Sequence, residues 1–115
     1  MDPNHLHLHV RDVAKSRQFY VAWFGFREHV RHGELLFLRN AEGFDLALMP
    51  DPDPARLPDW FHFGFRLDAP EAVRELYRRM KSGGVPLRRE LHQDPDLVSF
   101  RCEDPDGYAV EVYWE

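Results

Sequence analysis

Two groups of residues in this chain have the types and spacing for chemistry. One is the run of histidines at alternate positions, His5, His7 and His9, with His62 standing 57 positions after His5; the other is Glu111, set among Val110, Val112 and Trp114. Two imidazoles and one carboxylate on separate strands of one sheet form a facial set that holds a divalent metal and leaves coordination positions open. A carboxylate among apolar neighbours is costly to desolvate unless a cation meets it, and a metal is the simplest partner. We therefore read His5, His62 and Glu111 as candidate metal ligands. His7 and His9 lie on the same side of the strand as His5, placed to orient a ligand, act as a general base or touch a substrate.

These residues need elements to position them. In His5-Leu6-His7-Leu8-His9-Val10 strict alternation is the period of a strand with one apolar and one polar face. The pattern returns in Phe61-His62-Phe63-Gly64-Phe65-Arg66-Leu67-Asp68, and Gly43-Phe44-Asp45-Leu46-Ala47-Leu48-Met49 lies over Gly107-Tyr108-Ala109-Val110-Glu111-Val112-Tyr113 at a constant offset of 64. The chain reads as a doubled unit with a longer loop in its second copy. In that overlay His62 takes the place of His5, Arg66 that of His9, and Glu111 that of Ala47, so the first copy offers no fourth ligand.

In the first copy, Asp12 caps a helix over 13–24 that Gly25 ends, and strands follow over 26–32, 35–39 and 44–49. Pro50-Asp51-Pro52-Asp53-Pro54 fits neither a helix nor a central strand and marks a connector. The second copy has a strand over 60–67, then a helix started by Asp68 as N-cap with Pro70 and Glu71 and stopped at Gly83-Gly84. Strands over 85–91, 97–102 and 108–114 complete it. The expected organisation is one domain of two modules, 1–49 and 59–115, joined by a linker over 50–58.

A chain of 115 residues has room for one domain burying roughly 65% of its unfolded surface. Hydrophobic content of 43% indicates a globular chain. A net charge of -5 with interspersed bases leaves no cationic footprint for nucleic acid or anionic lipid. No apolar run approaches the roughly 20 residues of a membrane span. The single cysteine, Cys102, and the lack of a signal-like N-terminus point to a reducing, cytoplasmic setting.

The pattern His5-Leu-x-Leu-x-Val-x-Asp12, then Ser16-x-x-Phe19-Tyr20 and Phe24-Gly25-Phe26, the second-copy His62, and the closing Asp104-Pro105-Asp106-Gly107-x-x-x-Glu111 resembles the vicinal oxygen chelate superfamily, the glyoxalase, bleomycin-resistance and extradiol-dioxygenase group. The resemblance spans essentially the whole chain. It implies an α+β fold of two βαβββ modules whose curved mixed sheet surrounds a metal-binding cleft. It also implies a divalent ion (Fe, Mn, Ni or Zn) on His5, His62 and Glu111, and a small-molecule substrate that chelates the ion through two adjacent oxygens.

Glu111 and His7 are the candidate catalytic groups, and His9, Arg66 and Tyr113 the candidate substrate contacts. A glyoxalase I or an epimerase is expected to carry a fourth ligand where Ala47 stands. A fosfomycin-type thiol transferase matches the three-ligand set more closely but is expected to have basic residues past the last strand. An extradiol dioxygenase uses a similar set in a longer chain. The competing class is a metal-free small-molecule binding or antibiotic-sequestering protein of the bleomycin-resistance type. Open sheet edges predict a homodimer, with modules paired within a chain or across two.

Blander readings apply elsewhere. Arg88 and Arg101 are expected to be solvated rather than to pair an anionic substrate group, Trp60 and Phe61 to pack in a core or dimer contact rather than to wall the pocket, Cys102 to be a buried small hydrophobe, and His29, His32 and His92 to lie on the surface.

Overall fold

The alternating segment at the start of the chain forms strand β1 (His5–Val10), with Leu8 and Val10 buried and all three histidines exposed. The computed structural model describes residues 1–115, and the chain divides into two units, Met1–Arg56 and Leu57–Glu115. Each unit runs strand, helix, strand, strand, strand.

In the first unit, helix α1 (Val13–Phe24) begins where the Asp12 side chain accepts a hydrogen bond from the Lys15 N–H. It ends at Gly25, whose φ of 70° is the left-handed conformation that glycine adopts without strain. Strands β2 (Arg27–His32), β3 (Leu35–Arg39) and β4 (Asp45–Pro50) complete a sheet ordered β1-β4-β3-β2, with β1 parallel to β4 and the other pairs antiparallel. Leu8, Val10, Leu36, Leu38, Leu46 and Leu48 are buried with Tyr20 of the helix and Phe26. Each such side chain contributes about 1.5–3 kcal/mol on burial. The pleat sends the other set, His5, His7, His9, Phe37, Ala47 and Met49, to the opposite face.

The second unit repeats this with strand β5 (Phe63–Arg66), helix α2 (Pro70–Ser82) and strands β6 (Leu87–Gln93), β7 (Val98–Glu103) and β8 (Ala109–Trp114). Its sheet order is β5-β8-β7-β6, again with one parallel pair, β5 with β8. Val73, Leu76 and Met80 of α2 are buried, as are Phe100, Cys102, Val110 and Val112 of the sheet. The Tyr77 ring meets that of Phe100 at 5.4 Å between centroids. The opposite face carries Gly64, Arg66, Ser99, Arg101, Glu111 and Tyr113.

The architecture is therefore α+β, two βαβββ modules, each with its own four-stranded mixed sheet. The duplication holds to the level of register. Leu6 faces Leu46 as Phe63 faces Val110, and His7 faces Ala47 as Gly64 faces Glu111. The last hairpin turns match as well: the Asn40 Oδ1 accepts from the N–H groups of Glu42 and Phe44, and the Asp104 Oδ1 from those of Asp106 and Tyr108.

Several boundaries differ from expectation, β6 among them, which runs over Leu87–Gln93 rather than 85–91. The strand expected from Trp60 starts only at Phe63, because the Phe61 N–H turns back to the Pro58 carbonyl; His62 thus sits just ahead of β5 rather than in it. Asp68 is not the N-cap of α2. Proline at 70 disfavours helical backbone at the residue before it, so Ala69 stays extended (φ −147°, ψ 148°) and occupies the cap position with no side-chain bond. Asp68 then lies one residue too early. Pro50, expected to open the linker, is the last residue of β4, where a missing donor costs little. No helix is long and apolar enough to cross a membrane.

Candidate metal-ligand and substrate face

The polar side of the second unit's sheet gathers the most concentrated chemistry. Glu111 of β8 has Gly64 beside it on β5 and Arg101 beside it on β7. The Arg101 Nε donates to the Glu111 Oε2 at 3.3 Å, and its Nη2 donates to the His62 Nε2 at 3.2 Å. A single guanidinium thus bridges the imidazole and the carboxylate. Both members of the ion pair are largely shielded from water, with side-chain exposures of 13% for Arg101 and 24% for Glu111.

His62 is held in one tautomer. Its Nδ1 lies 3.0 Å from the Trp60 carbonyl, which can only accept, so the proton is on Nδ1 and the lone pair on Nε2. That is the arrangement in which a histidine ligates a metal through Nε2 while its other nitrogen is anchored to the backbone. Gly64 lets β5 lie close against Glu111 on β8. A Cβ built there would lie 3.0 Å from the Glu111 carbonyl oxygen and 3.2 Å from the Glu111 Cβ. His62 Nε2 and the Glu111 carboxylate are therefore two donors already turned toward one positive charge, and their types suit a divalent transition metal.

In the first unit, His5 is exposed and its Nδ1 pairs with the Asn4 Oδ1 at 2.9 Å, which again leaves Nε2 as the lone-pair nitrogen. The His7 and His9 rings are 5.2 Å apart. The His9 Nδ1–H donates to Asp51 at 2.9 Å, and this bond is the main cause that holds the Asp51 carboxyl below its usual range. Asp45, next to the strand's start, is lowered chiefly by its two hydrogen bonds from Arg39. No group of three His, Cys, Asp or Glu side chains able to hold a metal ion forms within the chain.

Of the candidate substrate contacts, Arg66 donates to the Glu115 backbone oxygen at 2.7 Å. Tyr113 lies on the same face as Glu111, with its ring edge 3.6 Å from a Cβ built at Gly64. Trp60 is 74% exposed, so it does not pack in the core of the chain.

Arg101 departs most from expectation. It is not a solvated side chain but the partner of Glu111 and His62, because β7 register puts it directly across from Glu111. The clue was the hairpin itself: Arg101 stands three residues before Asp104 and Glu111 four after Gly107, as near to symmetric as a hairpin pair requires. Arg88 is engaged too, donating to Glu103 at 2.8 Å and to the Gly107 carbonyl at 3.0 Å. Cys102 is buried, as expected, and burial pushes its thiol up to about 12. His92 is exposed and pairs with Asp94.

Comparison with known proteins shows the family and the fold. The family described as the Glyoxalase/Bleomycin resistance protein/Dioxygenase superfamily matches residues 3–112. An uncharacterized protein of Pseudomonas aeruginosa, PA2024, is 33% identical over 118 residues, covering 93% of this chain and 84% of that protein. Glutathione transferase FosA of Serratia marcescens is 30% identical over 116 residues, covering 96% of this chain and 78% of that one. Among solved structures, a possible glyoxalase from Bacillus cereus superposes with a TM-score of 0.83 at 30% identity, covering 97% of each chain. The fosfomycin resistance protein FosX of Listeria monocytogenes shares the fold with a TM-score of 0.85 at 21% identity, covering 100% of this chain and 93% of that one.

Proposed function

Since the chain belongs to the glyoxalase/bleomycin resistance protein/dioxygenase superfamily, we propose that it is a small metal-dependent enzyme acting on a compound that presents two adjacent oxygens. The ion is a divalent one of the Fe, Mn, Ni or Zn type, held by His5, His62 and Glu111. The observation that carries this reading is the convergence of the His62 Nε2 and the Glu111 carboxylate on one cation, with the other His62 nitrogen anchored on the Trp60 carbonyl. When bound, such an ion supplies Lewis-acid stabilisation to a chelated oxygen.

The chain's own residues do the rest. Gly64 lets β5 lie close against Glu111. His7, exposed and close to His9, takes or returns a proton; His9, its Nδ1–H fixed by Asp51, offers Nε2 to the substrate. Arg66 and Tyr113, paired across β5 and β8 on the face that carries Glu111, are the substrate contacts of the second unit. Thiol addition to an electrophilic carbon is the first reaction to assay, because FosA, at 30% identity, is named a glutathione transferase.

The test is metal binding. Titration of metal-stripped protein with Mn²⁺, Fe²⁺, Ni²⁺ and Zn²⁺ should show about one site per chain, lost in His5→Ala, His62→Ala and Glu111→Gln. Mixing His5→Ala with Glu111→Gln chains tells whether His5 is supplied by the same chain or by a partner, since only a shared site is restored. Wild-type protein that binds none of the four ions ends the metal reading. It leaves the metal-free binding protein, which is favoured by one observation: Arg101 already neutralises Glu111.

A further inference from the structure

We propose that Arg101 is an exchangeable counter-cation: it occupies the His62 and Glu111 donors until a divalent ion displaces it, and it then binds an anionic group of the substrate. The inference rests on the metal reading above and adds a residue and a substrate class to it.

The geometry of the guanidinium carries the first half. Arg101 spends two of its donors on the two atoms that a metal would need, the Glu111 Oε2 and the His62 Nε2. The single lone pair of His62 Nε2 is closed to an ion while the guanidinium holds it, and the same cation neutralises the Glu111 carboxylate. Metal entry is therefore a competition between cations.

The surroundings of Arg101 carry the second half. Its side chain is 13% exposed, so a guanidinium that loses Glu111 cannot simply return to bulk water without moving. Its cross-strand neighbour on β6 is Arg89, a like charge. The other acid two residues along β7, Glu103, is already taken by the Arg88 Nε at 2.8 Å. With a divalent ion on Glu111, the guanidinium loses the carboxylate it is paired with, and the next acid on its strand, Glu103, is already engaged by Arg88. A negative group on the ligand fills that need, and planar carboxylate or tetrahedral oxyanions suit its two-pronged donors. The substrate class is thus a small anion whose charged group lies next to its chelating oxygens.

Metal and anion should then bind cooperatively, and by reciprocity each should tighten the other through Arg101. The experiment is calorimetric titration of metal-stripped full chain with Mn²⁺, with and without oxalate as the anionic probe and acetoin as the neutral one. Arg101→Gln, which cannot compete for the site, should bind Mn²⁺ alone at least about tenfold more tightly than wild type. Arg101→Lys, which keeps the charge, should stay within about threefold. Oxalate should tighten Mn²⁺ binding to wild type at least tenfold more than acetoin does, and this preference should shrink to less than threefold in Arg101→Gln.

A merely structural Arg101 predicts that both variants bind Mn²⁺ more weakly. That result, or an unchanged affinity in Arg101→Gln, or an oxalate preference that survives the substitution, overturns the proposal while leaving the metal reading standing. Failure of wild type and variants alike to bind Mn²⁺ removes both at once and is recognisable as such.

Discussion

Gly64→Ala tests whether β5 lies as close to β8 as the candidate site requires. The added Cβ would stand 3.0 Å from the Glu111 carbonyl oxygen and 3.2 Å from the Glu111 Cβ, with the Tyr113 ring edge at 3.6 Å. The first of these is backbone in the middle of a sheet and cannot rotate away, so β5 must shift or the Glu111 region must move. Overpacking of this kind costs about 1–3 kcal/mol. Against it stands the loss of unfolded-state freedom on replacing glycine, which stabilises by about 0.4–1 kcal/mol where the native backbone tolerates the change.

The φ of Gly64 is not in the left-handed region, so no backbone strain adds to the contact. The balance is a net destabilisation of about 1–2 kcal/mol. With an unfolding entropy of about 2.1 cal/mol/K per residue, that lowers Tm by roughly 4–8 °C in a chain of 115 residues. Differential scanning calorimetry measures it directly, and Mn²⁺ titration of the same variant should show weaker binding because the carboxylate is displaced. A Gly64→Ala protein that melts at or above the wild-type temperature and binds Mn²⁺ equally well would refute the close approach assigned to the glycine.

Two further outcomes follow from the second unit. Asp104→Ala strips the acceptor from the Asp106 and Tyr108 N–H groups at a residue only 4% exposed, so urea denaturation should show a loss of about 2 kcal/mol or more, whereas Asp104→Asn should cost under about 1 kcal/mol because Asn40 does the same work in the first unit. For Cys102, burial raises the thiol from 9.0 to about 12, so the fold favours the neutral form. Its contribution is complete below pH 9 and drains away as the pH climbs toward 12. Urea midpoints of wild type should therefore fall more steeply over that window than those of Cys102→Ala, and a thiol reagent at pH 8 should label the native chain only as fast as it opens.

Much of the architecture is legible in the sequence itself. The alternation in His5–Val10, the capping pair Asp12 and Gly25, and the echo of Gly43–Met49 in Gly107–Tyr113 are local signals, and local backbone physics acts on them directly. Hence the element order and the bounds of α1 agree with expectation. Where two local signals compete, as at Asp68 and Pro70, the steric rule for the residue before proline overrode the capping propensity of the acid.

Residue types and the doubled pattern by themselves nominated His5, His62 and Glu111, because chemical identity is a property of the sequence. Only the folded sheet decided what Glu111 touches. That Arg101 bridges Glu111 and His62, that Gly64 lies close against Glu111, and that the Trp60 carbonyl fixes the His62 tautomer all depend on strand register and on a turn ahead of β5. Those are contacts between residues 2 to 47 positions apart, set by which strands pair and by how far each slides, and a one-residue slip would have sent Arg101 to the other face.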